Sequence, residues 1–208
     1  MSAWCLLVPV KRLDRAKTRL HLPGLTQEMR SELALAFASD VVLAAVQCSV
    51  VKEIVVITDD STAAEQLESL GAHTVSDSPD AGINPTLEHG FQWAQQHWPE
   101  LRVAALSADV ACVRASDLTL ALNQAASTSD AQFVCDSAGT GTTMYVGGSE
   151  FSPSFGHRSR ARHVRAGAIE LTSPELGRLR RDIDTEADLW DARRLGLGPN
   201  STGVLAQL

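Results

Sequence analysis

Near its C-terminus the chain holds Arg181-Asp182-Ile183-Asp184-Thr185, two carboxylates separated by one apolar residue. On an extended segment, residues i and i+2 share a face, so Asp182 and Asp184 would converge. Two like charges that close repel, and a divalent cation relieves the repulsion. Mg²⁺ commonly takes one or two carboxylates together with waters and substrate phosphates. The same stretch also reads as a helix start, with Asp184 or Thr185 as N-cap of a helix through Asp188, and the two readings are compatible. A third carboxylate, Asp109, follows the apolar run Val103–Leu106 in Ser107-Ala108-Asp109-Val110. Just past a buried strand a carboxylate is costly to desolvate unless it meets a cation, and a metal is one such partner. A helix cap or turn is the other use of an Asp at such a place.

Cations gather at the opposite end of the chain. Pro9 to Leu20 carries Lys11, Arg12, Arg15, Lys17 and Arg19, too polar a stretch for the core. An arbitrary basic run is a solvated face; directly after a first parallel strand, it is also where a triphosphate would be cradled. No G-x-x-x-x-G-K-[ST] or G-x-G-x-x-G occurs, so neither a P-loop nor a dinucleotide fingerprint supports another nucleotide fold. Within Phe155–His163, Ser159 opens a helix-compatible run, and a helix start with outward N–H groups binds phosphate or carboxylate readily. Gly139-Thr140-Gly141-Thr142-Thr143 is a small, hydroxyl-bearing stretch whose glycines would equally serve a hairpin turn. His157 and His163 stand at no familiar ligand spacing and read as packing or charge-balancing residues.

These residues need elements to hold them. Short apolar runs alternate with longer amphipathic ones. Strands are expected over residues 4–9, 52–58, 72–75, 103–106, 132–135 and 142–146. Helices are expected over 27–48, from Ser61-Thr62 as cap to Leu70, over 86–98, over 117–126 with Ser116 as cap, and over 186–195. Strands separated by helices imply right-handed βαβ units and a mainly parallel sheet with helices on both faces. No internal repeat, low-complexity tract or linker interrupts the pattern, so residues 1–208 are expected to form one α/β domain. In such sheets ligands bind beyond the carboxyl ends of the strands, which is where Asp109 and the cationic run would lie.

The composition narrows the classes. A formal net charge of −7 argues against a general nucleic-acid binder, which needs excess Lys and Arg. The sequence has no apolar run long enough to span a membrane. The apolar start from Met1 to Pro9 lacks the basic region and cleavage site of a signal peptide, so a cytoplasmic protein is expected. Cys5, Cys48, Cys112 and Cys135 are scattered among apolar stretches and read as buried thiols in a reducing compartment.

Taken together, the pattern resembles the 2-phospholactate/phosphoenolpyruvate guanylyltransferases of coenzyme F-420 biosynthesis, whose fold is like that of the molybdenum-cofactor guanylyltransferases. The resemblance runs over nearly the whole chain. Its carriers are Val8-Pro9-Val10-Lys11 with Ala16-Lys17-Thr18-Arg19-Leu20, Ile83-Asn84, Ala108-Asp109, Gly139–Thr142, Phe155-Gly156 with Ser159–His163, and Arg181–Thr185 with Ala187-Asp188-Leu189. Each piece is short, but they occur in the family's order. Two departures are Val110-Ala111 where the family has Leu-Pro, and Pro85 where it has small residues.

What the resemblance implies is a single-domain, Rossmann-like nucleotidyltransferase using GTP and Mg²⁺. Asp109, Asp182 and Asp184 would hold the metal, with Asp109 and Lys17 at the chemical centre. Lys11, Lys17 and Arg19 would meet the triphosphate and Asn84 the nucleoside. Thr142, Gly156 and Ser159 would hold the carboxylate and phosphate of a phosphorylated three-carbon acid, phosphoenolpyruvate ahead of 2-phospho-L-lactate. A different nucleotidyltransferase, a sugar-nucleotide glycosyltransferase of the same fold and a GTP-binding protein without catalysis are the competing readings. No nucleic-acid or membrane partner is expected.

Overall fold

The computed structural model describes residues 2–77 and 81–207. Seven strands form one sheet: β1 (Trp4–Pro9), β2 (Val51–Ile57), β3 (His73–Val75), β4 (Arg102–Leu106), β5 (Gln132–Cys135), β6 (Thr142–Val146) and β7 (Ile169–Glu170), in the order β3-β2-β1-β4-β6-β5-β7. All pairings are parallel except the two made by β6, which runs antiparallel to β4 and to β5. The helices are α1 (Gln27–Val46), α2 (Ser61–Ser69), α3 (Ile83–His97), α4 (Ala115–Ala125), α5 (Ser159–Arg165), α6 (Glu186–Leu195) and α7 (Pro199–Leu205). This is the α/β architecture expected, a mainly parallel sheet with helices on both faces.

The central strand shows why the apolar runs are continuous rather than alternating. Trp4, Leu6 and Val8 of β1 pack with α1 and α4 side chains such as Val41, Val42 and Leu118, whereas Cys5 and Leu7 join Leu87 and Ala94 of α3 on the other face. A parallel strand covered on both sides must be apolar at every position. A third cluster, around Leu20, Leu33, Phe37, Ile183 and Leu189, closes the gap between α1 and α6. The four cysteines are free and buried, as expected.

Some helix starts differ from expectation, each for a local reason. α2 is capped by Asp60, whose Oδ1 accepts the Ala63 N–H at 3.1 Å, so Ser61 and Thr62 lie inside the first turn. α3 begins at Ile83 because Gly82, at φ +100°, turns the chain into it, and Pro85 in the first turn has no bond to lose there. α4 begins at Ala115, where the Asp117 carboxylate accepts the Arg114 N–H at 2.9 Å, and Ser116 is not its cap. Residues 181–184 are not part of the sheet. Ile183 is nevertheless buried in the third cluster while Asp182 and Asp184 on either side are partly exposed, so the i, i+2 separation of faces holds without a strand. Thr185 does cap α6, its hydroxyl accepting the Asp188 N–H while the Asp188 carboxylate accepts the Thr185 N–H.

Candidate active site

β1 continues into the cationic loop, β4 into Asp109, and the strand order reverses between them, the usual place for a crevice in such a sheet. The Ser107 N–H donates to the Thr143 carbonyl at 2.8 Å, which carries the start of β6 to the same edge.

Lys17 joins the two ends of the chain there. Its Nζ donates to Asp109 Oδ2 at 2.6 Å and to Asp184 Oδ1 at 3.3 Å, and Arg19 pairs with the other Asp184 oxygen. The Lys17 side chain is only 9% exposed, and burial alone would disfavour its charge. The two carboxylates outweigh that effect and hold its pKa above the ordinary lysine value. Lys17 also has φ +52°, left-handed backbone that a side chain of this kind rarely adopts. Such a residue costs about 1 kcal/mol or more and persists only where its surroundings hold it, here between two carboxylates.

Asp182 has no such partner among the described residues. Burial, then the charges of Asp109, Asp184 and Asp136, push its pKa up to about 7. Asp109 Oδ1 is buried with no hydrogen-bond donor among the described residues. A corner with two carboxylates on one buried ammonium, Asp182 within reach of their charge and an orphaned carboxylate oxygen suits a further cation. Among the described residues no three His, Cys, Asp or Glu side chains stand together as a group that could hold a metal ion by themselves. An ion such as Mg²⁺, which takes one or two carboxylates and completes its shell with phosphates and water, fits this donor set better than one needing an all-protein cage.

Two adjoining cavities of about 350 Å³ each open beside this corner. One is lined by Lys11, Arg15, Lys17, Arg19, Asp109 and Asp184; the other by Lys11, Arg12, Arg15, Asp59, Asp77 and Thr86. Neither Lys11 nor Arg15 makes an ion pair among the described residues. The cationic loop is seated by Asp60, whose Oδ2 accepts the Leu13 N–H at 2.9 Å. In the second cavity Thr86 donates to Asp77 at 2.6 Å, and the Asp77 N–H donates to Asp59 at 2.9 Å. None of these three aspartates was singled out as a site residue in the sequence, where Asp59-Asp60 read only as the end of an apolar strand.

Thr142, Gly156, Ser159 and Asp182 line neither cavity. The first three gather in a corner of their own around α5. Asp136, at the end of β5, accepts the N–H groups of Thr140 and Gly141, both at 2.8 Å, and folds the Gly139–Gly141 hairpin loop. A Cβ at Gly141 would collide with that carboxylate. The Arg160 N–H donates to the Thr140 carbonyl, fastening the start of α5 to this loop. Gly156 has φ +108°, and Ser159 is buried with a hydroxyl that has no partner among the described residues. Thr142 Oγ1 lies 3.0 Å from His163 Nδ1.

Asn84, expected as a nucleoside contact, is hydrogen-bonded to the backbone of Phe155. Its Oδ1 accepts the Phe155 N–H at 2.7 Å and its Nδ2 donates to the Phe155 carbonyl at 3.1 Å. The amide therefore ties the first turn of α3 to the loop that carries Gly156. Asp136 and His163 were not singled out as site residues in the sequence, because their roles depend on partners in other elements.

A family model described as guanylyl transferase, CofC like, matches residues 4–192. A phosphoenolpyruvate guanylyltransferase of Thermomonospora curvata is 46% identical over 207 residues, covering 99% of this chain and 90% of that protein. One of Streptomyces coelicolor is 44% identical, covering 99% of this chain and 97% of its own length. Among solved structures, a protein described as a nucleotide-diphospho-sugar transferase from Desulfovibrio desulfuricans G20 superposes with a TM-score of 0.73 at 17% identity, covering 100% of this chain and 95% of the other. A nucleotidyl transferase from Methanothermobacter superposes with a TM-score of 0.60 at 16% identity, covering 93% and 97%. At those identities the structures speak for the fold alone.

Proposed function

Because this chain belongs to the CofC-like guanylyl transferases, and is thus a nucleotidyltransferase, we propose that it transfers GMP from GTP to the phosphate of phosphoenolpyruvate, releasing pyrophosphate, as a Mg²⁺-dependent step of coenzyme F-420 biosynthesis. The observation that carries the reading is the junction at Lys17, where the cationic loop meets Asp109 and Asp184 beside a cavity of about 350 Å³. Phosphoenolpyruvate is preferred over 2-phospho-L-lactate because both relatives described above are named for it. A cytoplasmic setting goes with this reading, and no helix among the described residues is long and apolar enough to cross a membrane.

The chemistry needs little from the protein beyond placement and charge. A phosphate monoester has its second pKa near ~6, so the acceptor phosphate is mostly dianionic at neutral pH and requires no general base. Its oxygen forms a bond to the α-phosphorus of GTP while the bond from that phosphorus to the bridging oxygen breaks, and pyrophosphate leaves with the electron pair. Lys11, Lys17 and Arg19 stabilise the charge developing on the leaving group. Asp109, Asp182 and Asp184 would hold Mg²⁺, which when bound neutralises phosphate charge and aligns the two substrates. The Thr142 and Ser159 hydroxyls and the Gly156 backbone would hold the acid, and the unpartnered Ser159 Oγ supports that role. Holding both substrates in line supplies much of the acceleration.

Pyrophosphate release from GTP and Mg²⁺ is the direct test, with phosphoenolpyruvate, 2-phospholactate, 3-phosphoglycerate or no acceptor present. Release that depends on phosphoenolpyruvate supports the reading. Release with another acid reassigns the acceptor. GTP binding with no release under any condition overturns the proposed reaction.

A further inference from the structure

We propose that His163 is a positioning residue for the acceptor: as a neutral Nδ1–H imidazole it donates to Thr142 Oγ1, so that the Thr142 hydroxyl proton is presented to the substrate. The proposal rests on the reading of Thr142 as an acceptor-binding residue, and it goes further by naming what aims that hydroxyl.

The hydrogen bonds determine the tautomer. His163 Nε2 accepts the Ser154 backbone N–H at 2.9 Å, and a ring nitrogen that accepts carries no proton. In a neutral imidazole the proton then sits on Nδ1, which lies 3.0 Å from Thr142 Oγ1. A hydroxyl has one proton and two lone pairs. With one lone pair taken by the imidazole, the Thr142 proton is free to point away from it.

The surroundings keep the ring neutral and still. His163 is fully buried, stacked on Tyr145 with ring centres 4.9 Å apart and packed against Phe133 and Phe155. Burial first, and the neighbouring Arg162 charge second, lower its pKa to about 4. A protonated ring would set an Nε2–H against the Ser154 N–H, two donors face to face. The same imidazole therefore has a second consequence. By holding Ser154, it steadies the segment that leads through Phe155 to Gly156, which Arg162 also grips through the Ser154 and Phe155 carbonyls at 2.9 and 2.7 Å. One side chain thus orients two of the three acceptor-side residues without touching the acceptor.

A buried histidine that merely packs would need neither a single tautomer nor a link to Thr142. The first measurement is ¹⁵N-edited NMR of the histidine rings in the ligand-free full-length protein at neutral pH. The expected result is an Nδ1-protonated His163 whose ring signals shift in Thr142→Val. An Nε2-protonated ring, or one whose signals ignore Thr142→Val, overturns the proposal. The second measurement separates KM from kcat. His163→Phe keeps an aromatic ring but loses both bonds, and is expected to raise the acceptor KM about tenfold or more with the GTP KM unchanged. His163→Asn keeps a donor at the δ position and is expected to recover most of that loss; it also serves if the Phe variant does not fold. In a Thr142→Val background, His163→Asn and His163→Phe should no longer differ in acceptor KM. A folded His163→Phe with wild-type acceptor KM, or effects that simply add in the double variants, would refute the positioning role. If the wild-type protein uses no acid at all, the proposed reaction and the acceptor role of Thr142 fall together, whereas the tautomer is decided independently by the spectra.

Discussion

Lys17 Nζ stands 2.6 Å from Asp109 Oδ2, a contact between residues 92 positions apart, and the same ammonium reaches Asp184, 167 positions away. A single buried cation therefore assembles the cationic loop, the end of β4 and the segment before α6 into one corner. Two of the three carboxylates proposed to receive a metal, Asp109 and Asp184, are already drawn around a positive charge.

Replacing Asp109 or Asp182 by Ala is expected to leave a folded protein whose kcat falls by about a hundredfold or more, because transition-state charge stabilisation is lost. Lys17→Ala is expected to fall as far, and its loss should exceed that of Lys11→Ala, since Lys11 touches neither carboxylate. Circular dichroism and steady-state turnover of the four variants check this. Full turnover with an unaltered Mg²⁺ requirement in both aspartate variants would contradict the metal assignment.

Asp182 should make the fold less stable as pH rises. Its folded pKa lies up near about 7, whereas an unfolded Asp titrates near ~3.9. Between these values the native state binds more protons than the unfolded state, so stability falls with increasing pH and levels off above the folded value. Asp182→Asn removes this slope and is expected to stabilise the metal-free protein at pH 8 by on the order of 2 kcal/mol, while abolishing activity. Urea denaturation at pH 5 and pH 8 for both proteins measures it. Mg²⁺ should raise the melting temperature of the wild type at pH 8 more than that of the variant.

Asn84→Ala is expected to raise the KM for the acceptor acid at least as much as the KM for GTP. Its amide holds Phe155 through two backbone bonds, next to Gly156. A variant in which only the GTP KM rises would restore the nucleoside contact that the sequence resemblance implied.

Asp40 is 3% exposed and accepts hydrogen bonds from the backbone and side chains of Asn200 and Ser201, capping α7 from within α1. Asp40→Ala leaves those donors buried without an acceptor and is expected to destabilise the protein by about 3 kcal/mol. Asp40→Asn should recover only part, having lost the charge at a helix start. Chemical denaturation of the three proteins tests the order.

Much of the fold was legible because its signals are local. An apolar run such as Ile54–Ile57, ended by Asp59-Asp60, can be little other than a strand buried on both faces. The spacing of Leu33, Phe37 and Val41 marks one helical face. What was missed depended on distant partners. α7 has a weak pattern of its own, Pro-Asn-Ser-Thr-Gly-Val-Leu, and forms where Asp40, 160 positions earlier, accepts its first N–H groups. Asp60 displaced Ser61 as a cap because it could also hold Leu13.

The sequence by itself determined the fold class, most of the elements in their order though not β7 or α7, and the family, since residue type and spacing along the chain carry that information. Only the tertiary structure decided which charge neutralises which. It bound Lys17 to Asp109 and Asp184, left Asp182 crowded and unpaired, and turned Asn84 onto Phe155 and His163 onto Thr142. Those outcomes depend on burial and on distances between residues far apart in the chain, and electrostatic and hydrogen-bond energies follow distance in space rather than separation in sequence.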